Sequence, residues 1–323
     1  MKLITYSLAV AISLASVATP AFAAYPERPV RLIVPFPAPG PADIIARALA
    51  DQLSRRLGQP FIVDNRPGAG GNLGTAQAAK AQPDGYTIFI GAGSTLAINP
   101  TLSSEPLSYD SLKDFAPITT LATAPNILVV NPQVPAKNIK EFFELARKAN
   151  PPMLIAHGGR GSSGHISAEL LRSQGKFSIE SVAYKGQSQA VTDVIGGHVK
   201  VMFGAVSAVR EYVESGRLRA LAVTTVKPTS LVPNLPTIAD SGLPGFESVA
   251  WWGLLSPAGT PEPILQTLNL EVREIMGSPE MKAELARQGA EALTMSQSEF
   301  RDFLREEIAR SVKLVEQAGI EKE

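Results

Sequence analysis

FIVDNRPGAGGNLGT, residues 61–75, runs from a short apolar segment through a glycine cluster into a helix-like stretch. A strand, a glycine loop and a helix in that order raise the question of a nucleotide cradle. The spacing answers it. A dinucleotide fingerprint needs G-x-G-x-x-G, whereas three residues separate Gly70 from Gly74, and Gly71 and Gly74 lack the leading pair. A P-loop lysine is missing too, since Thr75 and Ala76 follow Gly74. The loop also follows the second strand-like run, not the first. The remaining role is conformational: these glycines permit positive φ and a close helix–strand approach.

Outward from this stretch, strand-like and helix-like segments alternate. RLIVPF (31–36) ends in a proline-rich loop, and Ile45, Leu49, Leu53 and Leu57 then fall four apart on one helical face, with Gly58 where a C-terminal cap glycine stands. YTIFIG (86–91), APITTLA (116–122), NILVVN (126–131), MLIAHGG (153–159) and SVAWWGLLSP (248–257) read as further strands. The last third turns helical and ends on a helix carrying Phe300, Phe303, Leu304, Ile308, Val312 and Val315. Such alternation predicts an α/β protein with parallel sheets covered by helices, and ligand loops beyond the carboxyl ends of the strands.

Composition narrows the function. The 323 residues carry 30 basic and 30 acidic side chains, 45% hydrophobic residues and no cysteine. Net charge of zero gives no footprint for nucleic acid, and absence of cysteine excludes disulfides and thiol chemistry. Lys2 precedes an apolar stretch, residues 3–18, too short for a membrane span, and Ala21-Phe22-Ala23 fits a small-x-small cleavage site. The expectation is a signal peptide over 1–23, cleaved after Ala23, and export of the mature chain.

Three strand-end loops are candidates for a ligand site. In PFPAPGPAD (35–43), Pro39 and Pro41 lack N–H groups, leaving Ala38, Gly40, Ala42 and Asp43 as backbone donors; the alternative is a rigid turn with Asp43 capping the helix. In GGRGSSGHIS (158–167), glycines and serines around Arg160 run straight into a helix, a favourable place for an anion. His165 either lines that site or is structural. Around AYKGQSQAVTDVIGGHVKVMFG (183–204), Tyr184 and Phe203 are wall residues or simple core. The histidines 157, 165 and 198 form no metal pattern. Gly161-Ser162-Ser163-Gly164 lacks nucleophile-elbow spacing, so a Ser162/His165/Asp193 triad has no motif behind it.

These loops occur together with further segments: Tyr25-Pro26-x-x-Pro29 through Phe36, Asn65 through Asn72, Pro83-Asp84-Gly85-Tyr86, Asp114 through Pro117, Tyr184-Lys185-Gly186, Leu218 through Thr224, and Gly253 through Pro261. In this combination the chain resembles the periplasmic solute-binding proteins of tripartite tricarboxylate transporters, the Bug family, nearly end to end after residue 23. The resemblance implies a Venus-flytrap (type II) α/β fold of two lobes with mixed sheets and crossing hinge strands: residues 24–124 with 247–323 as one lobe, 125–246 as the other. It implies a monomeric, non-enzymatic periplasmic protein without cofactor or metal. Such a protein captures a small mono-, di- or tricarboxylate, aromatic ones included, and delivers it to a permease with one large and one small subunit.

The implied contacts are Phe36, Ala38, Pro39, Gly40, Ala42, Asp43 and Ser94 from one lobe. From the other come Gly159, Arg160, Gly161, Ser162, Ser163, His165, Tyr184, Phe203 and Gly204. Two positions depart from the family's pattern: Pro41-Ala42 replaces glycine and Thr or Ser before the Asp, and Gly204 stands where an Asp often follows. Two other classes stay open on the residues alone: an exported serine hydrolase using Ser162 or Ser163, and a ligand sensor docking on a membrane receptor.

Overall fold

The computed structural model describes residues 25–320 and 322. The expected signal peptide and its cleavage site lie outside the described residues. No helix among the described residues is long and apolar enough to cross a membrane.

The chain opens with β1 (Val30–Val34), α1 (Pro41–Leu57), β2 (Phe61–Asn65), α2 (Asn72–Ala79), β3 (Thr87–Ala92), α3 (Asn99–Leu102) and the long β4 (Phe115–Val130). It continues with α4 (Ile139–Lys148), β5 (Met153–His157), α5 (Ser163–Gly175), β6 (Ile179–Ala183), α6 (Gln187–Gly196), β7 (Val201–Ala205), α7 (Val206–Glu214) and β8 (Arg219–Val223). The last part holds β9 (Val249–Pro257), α8 (Glu262–Gly277), α9 (Pro279–Arg287), β10 (Glu291–Ala292) and α10 (Gln297–Ala318).

Strand order is β2-β1-β3-β9-β4-β7-β5-β6, with β8 and β10 also on β4. The outer pairs are parallel, as βαβ crossovers require and the alternation predicts. The expectation of parallel sheets fails at β9 and β4, which run antiparallel to their neighbours because they cross between lobes without a βαβ return. Two α/β lobes result, joined through β4: residues 115–125 pair with β9, and 126–130 with β7. At 16 residues, β4 is about 50 Å long at the usual rise of about 3.3 Å per residue. The sequence pattern splits this strand in two because prolines interrupt it. The structure carries it through as one: Pro117 sits beside a register shift, and Pro125 is the last residue opposite β9 before the strand changes partners.

Each lobe has its own core. Val30, Leu32 and Val34 of β1 face Ile45, Leu49 and Leu53 of α1 together with α8, while Ile33 on the opposite face joins Phe89, Trp251 and Phe300. A strand covered on both faces reads as the continuous apolar run seen in its sequence. The second lobe packs Leu128, Phe142, Ile155, Leu171 and Phe203 in the same manner. In α10, Phe300, Leu304 and Val315 are buried as their spacing predicts, but Val312 is exposed. Gly58 caps α1 in the left-handed conformation.

The glycine loop of the opening stretch is a packing device. Gly71 adopts φ 97°, and a Cβ there would lie 2.6 Å from Thr95 Cγ2 and 3.2 Å from Phe36. At Gly74 a Cβ would meet backbone, 2.5 Å from the Arg66 carbonyl oxygen and 2.9 Å from Pro35 Cα. Backbone atoms have little room to yield. Gly74→Ala is therefore expected to cost about 1–3 kcal/mol of stability, measured as a lower denaturation midpoint; an unchanged midpoint would show that the helix–strand contact is loose.

Candidate functional site

A cleft of about 510 Å³ opens between the lobes. One wall is the loop joining β1 to α1, backed by Gly70, Ser94 and the α3 start. The facing wall is the loop between β5 and α5, and the crossing segment 247–252 and one face of α10 complete the lining. The lobes touch at one side. A Cβ on Gly161 would come 3.2 Å from Asn99 Oδ1, and Ile166 and Leu314 pack together beside Ile98.

The first loop is shaped by prolines and by one buried carboxylate. Ala38-Pro39 is a cis peptide bond. α1 starts at Gly40 with Pro41 in its first turn and no side-chain cap, so its early amides are not claimed by a cap. Asp43 does not face the cleft. It is buried, paired with Arg47 at 2.9 Å, and accepts a hydrogen bond from Asn65 Nδ2, which also donates to the Phe36 carbonyl. Burial pushes its carboxyl up, but the bonds from Arg47 and Asn65 outweigh this and hold it below the ordinary range. Asp43 thus ties the loop to the end of β2.

The second loop is shaped by its helix cap. Ser162 is the N-cap of α5, its Oγ accepting from the His165 N–H at 3.3 Å. Its own O–H can then donate elsewhere. The Ser163 hydroxyl donates to Asn126 Oδ1 of β4 at 3.3 Å, so this loop is bonded to the shared strand. Gln187, at the start of α6, reaches the cleft while accepting from the Ala205 N–H.

Of the expected residues, Phe36, Pro39, Gly40, Ala42, Ser94, Arg160, Gly161, Ser162 and Ser163 come together around the cleft. Others do not. Ala38 is exposed. Gly159 and His165 stand behind the second loop, bonded to His157 and Gly161 respectively. The Tyr184 hydroxyl donates to Asp193, and its ring packs against the cluster around Val191 and Val194. Phe203 is fully buried in the second core. A side chain at position 204 would run into Val209 Cγ1 at 2.5 Å and toward Met202, neither of which lines the cleft. The Gly204 departure therefore acts on packing in this structure. No triad is assembled around Ser162, because His165 Nδ1 accepts from Gly161 and Asp193 accepts from Tyr184.

Residues that the sequence pattern leaves unmarked also line the cleft. Glu307, Arg310, Ser311 and Leu314 recur at three- and four-residue steps on α10, and Trp251 and Trp252 contribute from β9. Arg310 bridges Glu247 at 2.9 Å and Glu307 at 3.1 Å, and Trp251 Nε1 donates to Glu307 at 2.8 Å. Burial raises the Glu307 carboxyl, opposed by Arg310 and the indole bond. The signal was present as helical spacing, but a charged stripe on a terminal helix reads as a solvated face.

A family model described as "Tripartite tricarboxylate transporter family receptor" matches residues 45–320. The chain belongs to this family. Protein BugT of Bordetella pertussis is 34% identical over 310 residues, covering 95% of each chain. Among solved structures, R. palustris Rpa4515 with adipate superimposes with a TM-score of 0.81 at 35% identity, over 93% of this chain and all of that one. MatC from Rhodopseudomonas palustris with bound malate gives 0.76 at 31% identity, over 90% and 100%. The family receptor fold and the two-lobed architecture thus agree.

Proposed function

We propose that this receptor is exported to the periplasm, captures a small organic carboxylate between its lobes, and hands it to a membrane permease with one large and one small subunit. The lobes we assign are residues 24–124 with 247–323, and 125–246; the partner change of β4 one residue later, at 125/126, and the return of β9 from residue 249 support the division. The adipate and malate held by the two relatives support the ligand class. The observation that carries the reading is the pairing across one cleft of an uncapped helix start at Gly40 with the serine-rich start of α5.

Energetics favour that pairing. Micromolar binding needs about 8 kcal/mol, while a helix end contributes only about 0.3–1 kcal/mol, up to about 2 when partly buried. Charge-assisted hydrogen bonds at about 1.5–3 kcal/mol each must supply the rest. Several such donors converge only where both loops face one ligand. Arg160 lines the same space and adds a guanidinium suited to a carboxylate. Trp252 and Ile98 give the cleft apolar surface for the ligand's carbon body.

Titration with a panel of mono-, di- and aromatic carboxylates tests this, following Trp251/Trp252 fluorescence and the melting temperature. A true ligand at one hundred times its Kd is expected to stabilise the fold by about 2.7 kcal/mol, with no turnover. Product in stoichiometric excess would instead favour a hydrolase. A panel in which no carboxylate shifts either signal would sink the binding reading.

A further inference from the structure

Residues 160–163 line the cleft, yet two histidines that do not line it hold the backbone of this loop from behind. His157 ends β5 and His165 sits in the first turn of α5; both are buried, and their rings lie tilted at 34° with centroids 4.6 Å apart. The Gly161 N–H donates to His165 Nδ1 at 3.2 Å. The Gly159 N–H and carbonyl oxygen lie 3.3 Å and 3.0 Å from His157 Nδ1. A backbone N–H can only donate, so His165 Nδ1 must accept; the ring is neutral and carries its proton on Nε2. A second proton would set N–H against N–H in a buried place.

We propose that His157 and His165 are positioning residues for the anion-binding loop, and that proton uptake by His165 loosens the loop and lowers ligand affinity. This rests on the carboxylate reading of the cleft. Burial and the neighbouring ring hold His165 down to about 4, and burial lowers His157 although Gly159 and Glu169 act the other way. The charges facing the pair are Glu169 on α5, which is held by Arg172 and by Ser181 of β6, and Arg160 on the loop. Across the cleft, α10 brings Glu307 and Arg310. Glu169 favours protonation, while Arg160 and the second ring oppose it. An imidazolium behind the loop would attract an anion at a distance. The direct effect is larger, because it removes the acceptor that aims the Gly161 amide plane.

The test compares wild type with His165→Leu and His165→Asn, using adipate and malate as probes. Leucine removes the acceptor; asparagine offers an oxygen near the Nδ1 position and does not titrate. At pH 7, H165L should bind about tenfold more weakly, and H165N should recover most of that loss. Between pH 7 and pH 3.5, read while near-UV circular dichroism remains native, wild type should lose about fourfold more affinity than H165N, since about a quarter of His165 stays neutral there. Protonation of the probe itself cancels in this comparison. In ligand-free protein, the Gly161 amide resonance should move with the His165 imidazole titration. H165L binding as wild type does, or matching pH profiles for wild type and H165N, overturns the proposal. If neither probe binds wild type at pH 7, a Gly161 amide indifferent to His165 titration in ligand-free protein still overturns the positioning role, separately from the ligand reading that the full panel decides.

Discussion

Trp251→Ala is expected to destabilise the protein by about 3–5 kcal/mol, the usual range for emptying a buried aromatic site. The indole is 2% exposed and meets Phe300 and Phe303 edge-on, with centroids 6.0 and 5.2 Å away. Backbone closes in on its other side: a Cβ on Gly93 would lie 2.7 Å from Nε1. The variant also strips Glu307 of its indole donor in a buried setting, so cavity and hydrogen-bond losses are coupled and need not add. Trp251→Phe separates them, because it keeps most of the packing and deletes only the donor. Denaturant unfolding of both variants measures the difference. If the alanine variant unfolds at the wild-type midpoint, α10 is not anchored by this ring, and the cleft wall it forms has another support.

The second large effect is on affinity. Replacing Ser162 and Ser163 together by alanine should weaken carboxylate binding by about ten- to a hundredfold, the equivalent of one charge-assisted hydrogen bond at about 1.5–3 kcal/mol. The serines act differently. Ser162 caps α5 while retaining a hydroxyl proton for the ligand, and Ser163 is bonded to Asn126 of β4. Losing the cap costs about 1 kcal/mol of stability, so the variant should fold and its affinity can be measured by calorimetry. Wild-type affinity in the double variant would remove the second loop from the binding site.

Much of this architecture is legible in the sequence. Apolar β-branched runs alternating with helical periodicity mark a covered sheet, and the glycines at 71 and 74 behave as their spacing demands. β4 was harder to see, because proline ordinarily ends a strand; here Pro125 is tolerated where one set of partners gives way to the next. The site was half legible. Loops rich in glycine, proline and serine flag themselves, but spacing cannot tell a residue that lines a cleft from one that braces it. Asp43 is an example. Its i+4 arginine was in view, yet only the fold shows that this ion pair turns the carboxylate away from the ligand side. His165 is another, since the bond that gives it a role reaches back to Gly161 across a turn whose shape the sequence does not state. The α10 stripe carries no such flag, because charges on a helix ordinarily face water.

One consequence of the long shared strand concerns the work a guest molecule must do. Since β4 runs unbroken from one lobe into the other, the two walls of the cleft already belong to one folded body. The translational freedom that separate partners would forfeit was already surrendered when the chain folded. A small guest in the cleft would not have to supply that cost again.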